Sequence, residues 1–480
     1  MNVLLASSEV SPFAKTGGLG DVAEALPIAL NEAGHKASAI LPFYKLVREH
    51  GYSPKPVKAG IPLKIGGKDL IFDLLCLEYK KTNFYFIKND SLFDRDGLYG
   101  TPAGDHPDNH LRFGLFSRAI IASIPYIGKP DILHLNDWHT GLVPLYLKYN
   151  FKKDPNLKGA KTLFSIHNLA YQGLFPKSLL SQLDIPEECF TASGLEFYDK
   201  ISFIKSGIVY SDAINTVSEG YAAEVLKKEF GCGLDKILRT REKDLYGIVN
   251  GADYSTWNPE TDKNIAKNYG PGNLKPKLEC KKDLLKEFGI PFNEEAPLVG
   301  MITRLAQQKG LDIVANAMDD ILEMGVNFVI LGTGDERYNK LFKDLAGRYK
   351  GRAGAAVTFN NPLAHKIEAG CDMFLMPSRY EPCGLNQMYS MKYATVPVVR
   401  DTGGLKDTVT DFNAKSRKGN GFKFKDATQK SMLGALERAV KTFKDRATWK
   451  ALQDNCLGCD FSWESTAKHY IQLYKRIKEK

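Results

Sequence analysis

The chain has 480 residues, and its 65 Lys and Arg against 56 Asp and Glu leave a formal charge of +9. Hydrophobic residues make up 43% and charged residues 25%, a balance that excludes a disordered tail, a collagen-like repeat and a coiled-coil rod. At about 150–200 residues per domain, the length predicts two or three units, each able to bury its own core.

In chain order, Val3-Leu4-Leu5-Ala6 reads as a short buried strand, followed by a glycine-rich turn. Asp21 to Leu30 carries apolar residues at helical spacing, Gly34 stops that helix, and Ala37 to Leu41 is the next strand. Together they form a βαβ unit. Strand-like runs from Ile132 and from Thr162 read as two further strands. Residues 252–285, with Trp257-Asn258-Pro259 and Gly270-Pro271-Gly272, break the rhythm and read as a connector. The second half resumes it with predicted strands at 298–302, 328–331, 356–359, 373–377 and 396–399. Predicted helices lie at 310–325, from Asp335, and near 362–369 and 384–394. Such alternation means parallel sheets covered by helices on both faces. The expected division is 1–255, joined by a C-terminal segment 461–480, and 256–460.

The basic excess is dispersed, without the concentrated stripe that nucleic-acid binding needs, and it suits a small anionic substrate. Eight cysteines are too few for a disulfide scaffold. Cys456 and Cys459 form the one C-x-x-C, with no second pair to complete a zinc site. The first residues lack the pattern of a signal peptide, and no uncharged stretch approaches the ~20 residues of a membrane span. A soluble, cytoplasmic chain is expected, with no metal, no membrane partner and no nucleic acid.

Lys15-Thr16-Gly17-Gly18-Leu19-Gly20-Asp21 is the most informative stretch. Glycines admit a ligand to the backbone, the following helix offers N–H groups, and Lys15 adds a charge, so a phosphate is one natural occupant. A tight turn needed only for packing is the other reading. The motif echoes as Thr402-Gly403-Gly404-Leu405-Lys406-Asp407, placing a glycine loop at the carboxyl end of each sheet, where open α/β sheets bind ligands. Arg304 and Lys309 follow a strand directly. They read either as a grip on a diphosphate or as solvated loop charges. Glu381 precedes a helix start at Pro382, as a helix-dipole acid or as a carboxylate for sugar hydroxyls. His134-Leu135-Asn136-Asp137-Trp138-His139 and Ser165-Ile166-His167-Asn168 end two strands, a mixture of polar and aromatic groups suited to a hydroxyl-rich ligand. Neither a G-x-G-x-x-G fingerprint nor a G-x-S-x-G elbow is present, which disfavours a dinucleotide dehydrogenase and a serine hydrolase.

These pieces, with Asp94-Arg95-x-x-Leu98-Tyr99-Gly100, Asp108-Asn109-x-x-Arg112-Phe113, Asn250-Gly251-x-Asp253, Glu381-Pro382-Cys383-Gly384-Leu385 and Phe461-Ser462-Trp463, resemble the bacterial glycogen synthase and plant starch synthase family. The resemblance runs from Met1 to about Trp463. It implies two Rossmann-like doubly wound α/β domains facing a cleft, the GT-B fold. It also implies a retaining transfer of glucose from ADP-glucose to the non-reducing end of an α-1,4-glucan, without metal or other cofactor. By the same resemblance Arg304 and Lys309 hold the diphosphate, and Lys15 and Gly18 approach it from the other domain. Asp137, His167 and Asn250 line the glucosyl pocket, and Glu381 holds donor hydroxyls. Asp21, Thr402, Gly403 and Gly404 are expected at the nucleotide sugar, and Tyr99, Trp138 and His139 on the glucan side. Two departures stand out: Tyr389 where relatives of the fold carry a second Glu, and Asn386 where a small hydroxyl residue is expected. The alternatives are a glucosyltransferase using UDP-glucose and a non-catalytic glucan-binding homologue.

Overall fold

A computed structural model describes residues 1–480. The chain divides into two compact units, Met1–Gly251 with Trp463–Lys480, and Ala252–Ser462.

Unit 1 is built on a nine-stranded sheet: β1 (Asn2–Ala6), β2 (Lys36–Pro42), β3 (Lys55–Ile65), β4 (Lys68–Tyr79), β5 (Thr82–Lys88), β6 (Ile132–Asn136), β7 (Lys161–Ile166), β8 (Ala213–Thr216) and β9 (Leu245–Gly247). Their order across the sheet is β9-β8-β7-β6-β1-β2-β5-β4-β3. The first seven run parallel, because helices such as 18–32 and 109–127 return the chain to the same edge. The β3–β4 and β4–β5 pairs are antiparallel, an extension that the βαβ rhythm does not announce. The helix of the first βαβ unit starts at Gly18, a turn earlier than its apolar spacing implied.

Unit 2 carries six parallel strands: β10 (Leu298–Ile302), β11 (Asn327–Leu331), β12 (Ala353–Ala356), β13 (Met373–Met376), β14 (Val396–Arg400) and β15 (Phe422–Phe424), in the order β12-β11-β10-β13-β14-β15. Alternate residues feed two cores. Val299, Met301, Phe328, Ile330, Met373 and Leu375 face one side. Leu298, Val329, Leu331, Phe374, Met376 and Val399 face the other. Burial on both faces explains why these strands read as unbroken apolar runs.

Three expectations need correction here. The strand expected at 356–359 lies at 353–356, in register with Phe328–Leu331. The chain then leaves the sheet for a helix capped by Asn360, and Phe359 is 87% exposed. The helix expected at 310–325 is two, Leu311–Asn316 and Met318–Glu323. Residues 252–285, read as a connector, are part of unit 2 and end in a helix that starts at Lys277. Asp262 accepts hydrogen bonds from His365 (2.7 Å) and the Tyr393 hydroxyl (2.6 Å), and Trp257 stacks on His365 with centroids 3.8 Å apart. The Lys277 ammonium is buried among the carbonyls of Ala369 and Tyr393 and the hydroxyl of Thr395. The segment is thereby bolted to the end of helix 361–370, where a cation meets the negative helix terminus.

Candidate active site

The carboxyl ends of neighbouring parallel strands carry the candidate residues in each unit. In unit 1, β1, β6 and β7 lie side by side and lead into Glu9, Asp137 and His167. Asp137 sits at φ 54°, ψ −178°, a region that costs a non-glycine residue about 1–3 kcal/mol. Surrounding bonds enforce it. Its amide donates to the Ser165 carbonyl (2.9 Å), its carbonyl accepts from the Thr140 amide (3.1 Å), and its Oδ1 accepts from the His167 amide (2.8 Å). Burial pushes the Asp137 carboxyl up to about 7, the amides of His167 and Asn168 pull it back, and the charge of Glu9 adds to the rise. His167 shares a 2.8 Å hydrogen bond with Asn136 Oδ1, and burial lowers its imidazole to about 4. A neutral imidazole therefore stands beside an acid that titrates near neutrality.

The glycine loop is tied from beneath by a residue that the sequence reading passed over. Glu9 accepts hydrogen bonds from the Thr16 amide (2.5 Å), the Thr16 hydroxyl (2.6 Å), the Gly17 amide (3.0 Å) and the Tyr99 hydroxyl (2.7 Å). The signal available was an acid placed just after a buried strand and just before a glycine run. Two loop amides are thus already satisfied by a protein carboxylate. The next amides, of Gly18 and Leu19, belong to the first turn of helix 18–32, whose N–H groups have no intrahelical acceptor. Side chains at Gly17 or Gly18 would meet nothing within 4 Å, whereas one at Gly20 would meet the Lys15 side chain at 3.1 Å. Packing therefore accounts for Gly20 but not for Gly17 or Gly18. Lys15 donates to Asp21 at 2.6 Å on a half-open surface.

The rings expected to face glucan are largely turned inward. Trp138 is 9% and His139 5% exposed. His139 lies between Tyr99 (4.6 Å) and Trp138 (4.0 Å), with Phe113 edge-on at 4.7 Å, and burial holds it neutral, far below its usual titration range. Both rings belong to this buried aromatic cluster, and neither ring nitrogen of His139 has a partner within the protein. Tyr99 spends its hydroxyl on Glu9 and Ser8. Asn250, beyond β9, is buried with its Oδ1 unpartnered.

In unit 2, β10, β13 and β14 are adjacent and bring Arg304, Lys309, Glu381 and Thr402–Gly404 to one edge. Lys309 Nζ donates to Glu381 Oε2 at 2.5 Å, and the Ser378 hydroxyl donates to the same oxygen at 2.9 Å. Arg304 donates to Gln308 Oε1 (3.2 Å), and Gln308 in turn donates to the Tyr380 carbonyl (3.1 Å), joining the two loops. The Gly404 amide donates to the Glu381 carbonyl at 3.0 Å. The T-G-G-L echo is not a geometric repeat. Thr402 caps its helix two residues after β14, whereas Thr16 lies ten residues after β1 and hangs from Glu9. Asn386 donates to the Ile302 carbonyl at 2.7 Å, and Tyr389 stacks on Trp257 at 4.5 Å, so both departures have packing roles. No group of three or more His, Cys, Asp or Glu side chains is arranged to hold a metal ion. Cys456 and Cys459 bond the carbonyl and the side-chain amide of Asn420. No helix is long and apolar enough to cross a membrane.

Residues 2–240 match the starch synthase catalytic domain, and residues 285–452 match the glycosyl transferases group 1 domain. The chain is 44% identical over 480 residues to the glycogen synthase of Koribacter versatilis, covering 100% of this chain and 99% of that one. It is 45% identical over 488 residues to that of Thermosipho africanus, covering both chains in full. The catalytic domain of Starch Synthase IV from Arabidopsis thaliana, solved bound to ADP and acarbose, superposes with a TM-score of 0.90 at 33% identity, over 100% of this chain and 99% of that one.

Proposed function

The chain belongs to the glycogen and starch synthase family of hexosyltransferases with the GT-B fold, and from that premise we propose that it transfers glucose from ADP-glucose to the non-reducing end of an α-1,4-glucan with retention of configuration. The observation that carries this reading is the gathering of Arg304, Lys309 and Glu381 on the ends of two adjacent strands of unit 2, β10 and β13. Breaking a glycosyl–phosphate bond leaves negative charge on the departing diphosphate. Fixed cations that meet this charge lower the barrier without reorganising. Arg304 and Lys309 take that role, so the reaction needs no metal and is expected to be indifferent to EDTA.

Lys309 is held by Glu381 and Lys15 by Asp21, each pre-set by a carboxylate until phosphate oxygens compete for it. Glu381, nearly buried and fixed by Ser378, is suited to accept from sugar hydroxyls. Asp137, His167 and Asn250 offer polar groups at the unit 1 edge for the glucosyl group and acceptor. Asn250 brings a buried oxygen that has no partner within the protein. Thr402, Gly403 and Gly404 hold their turn beside Glu381, where their backbone approaches the donor. A cytoplasmic setting belongs to the same reading, since all eight cysteines are free thiols.

The test is ADP release and product analysis with maltoheptaose, using ADP-glucose and UDP-glucose side by side. Chain extension through new α-1,4 bonds with ADP-glucose supports the proposal. A preference for UDP-glucose would transfer it to the alternative donor, and binding without turnover would leave a glucan-binding homologue.

A further inference from the structure

We infer that Glu9 is a positioning residue for the transfer proposed above, on which its role rests: its carboxylate fixes the loop that presents Lys15 and the first turn of helix 18–32 to the nucleotide sugar. Glu9 is 4% exposed and lies three residues past the end of β1. Its two oxygens take four donors, from Thr16, Gly17 and Tyr99. An amide has one acceptor oxygen and cannot serve all four.

Every partner is itself held. The Tyr99 carbonyl accepts from Asn109 (2.8 Å), and the buried Arg112 guanidinium donates to the carbonyls of Leu92 (2.7 Å) and Leu98 (2.9 Å). On the other side, Ser11 donates its amide to the Gly20 carbonyl at 2.9 Å, and Val10 and Ala14 exchange backbone hydrogen bonds. The loop between β1 and helix 18–32 is therefore a closed ring around Glu9. A carboxylate here opposes the approach of an anion, since like charges repel across a partly buried site. Its presence next to an anion-binding loop is explained by geometry and not by charge.

The test is Glu9→Gln, read by donor and acceptor kinetics and by hydrogen exchange of the 15–20 segment. The expected result is a fall of about tenfold or more in kcat/KM for ADP-glucose, with the glucan KM unchanged and faster exchange at the Thr16 and Gly17 amides. The loss should be clearly smaller in a Lys15→Ala background, because part of the effect acts through Lys15 and only the share carried by the first turn of helix 18–32 remains. A generally loosened fold would move both substrates and would add to Lys15→Ala. Wild-type kinetics together with wild-type exchange in Glu9→Gln overturn the inference. If that variant does not fold, Thr16→Val removes one of the four bonds alone, and unchanged kinetics and exchange there overturn it equally. A wild-type protein that transfers no glucose defeats the proposed function instead, and exchange then judges the Glu9 clamp by itself.

Discussion

Lys15 and Lys309 illustrate how little a single charge says without its neighbours. Each is paired with a carboxylate, at 2.6 Å and 2.5 Å, and the acid that holds Lys309 is itself fixed by the Ser378 hydroxyl. Lys15→Ala or Lys309→Ala should lower turnover by about a hundredfold or more while leaving the melting temperature near wild type; wild-type rates in either variant would refute the assignment. The buried histidines make a second prediction. Burial lowers His134 to about 3 and His167 to about 4, from an ordinary value of 6.5. Below pH 6.5 the unfolded chain binds protons that the folded chain refuses. Their stabilisation is therefore complete above that pH and is lost as pH falls toward 4 and then 3. Asp137, raised to about 7, acts with the opposite sign over the same range, so the histidine effect is read by difference: in urea melts, acidification from pH 6.5 to 4.5 should be less destabilising for His134→Gln than for the wild type, and equal slopes would contradict this account.

At the scale of elements, glycines separate packing from ligand access. A Cβ at Gly404 would stand 2.2 Å from the Cys383 carbonyl oxygen, so the helix 403–408 could not close on the turn that carries Glu381. Gly404→Ala should cost about 1–3 kcal/mol by overpacking and depress turnover. Gly18→Ala meets open space, so it should leave stability within about 0.5 kcal/mol while weakening donor binding. If calorimetry found Gly18→Ala as destabilising as Gly404→Ala, the distinction would fail. The C-terminal helix 463–479 supplies the other element-scale effect. The Tyr474 hydroxyl bonds His134, which is linked through Ser165 to Asn215, and Asn215 donates to Tyr470 at 3.3 Å. Tyr474→Phe strands a buried imidazole nitrogen and should cost about 1–3 kcal/mol, measurable in the same urea melts.

Taken whole, the chain leaves unit 1 at Gly251, builds unit 2, and returns at Trp463. Trp463 packs on Gly251, where a Cβ would lie 2.4 Å from the indole, and Lys478 pairs with Asp131 at 2.7 Å. Deleting residues 463–480 should lower the unfolding transition of unit 1 by roughly 10 °C or more, from several lost buried contacts. Unit 2 has three hydrophobic clusters drawn from its own residues, and its transition should stay in place. Calorimetry resolving both transitions checks this, and a parallel fall of the two would count against it.

Much of this was legible in the residues because it rests on local rules. Apolar runs buried on both faces, helical spacing and glycine stops marked the strands and helices of both parallel sheets. Motifs after strands marked Asp137, His167, Arg304, Lys309 and Glu381 as candidates, and a glycine run marked Lys15. What local pattern does not carry was decided by the tertiary structure: the antiparallel β3–β4 extension, the docking of 252–285 through Asp262 and Lys277, and the inward turn of Trp138 and His139. Glu9 belongs with these. In sequence it merely interrupts an apolar run, and only when the loop folds back over β1 do four donors, the farthest contributed by Tyr99 ninety positions away, converge on one carboxylate. Spacing along a chain fixes which side chains share a strand end or a helix face, whereas partners contributed by distant segments are chosen only when the core closes and each buried polar group must be matched.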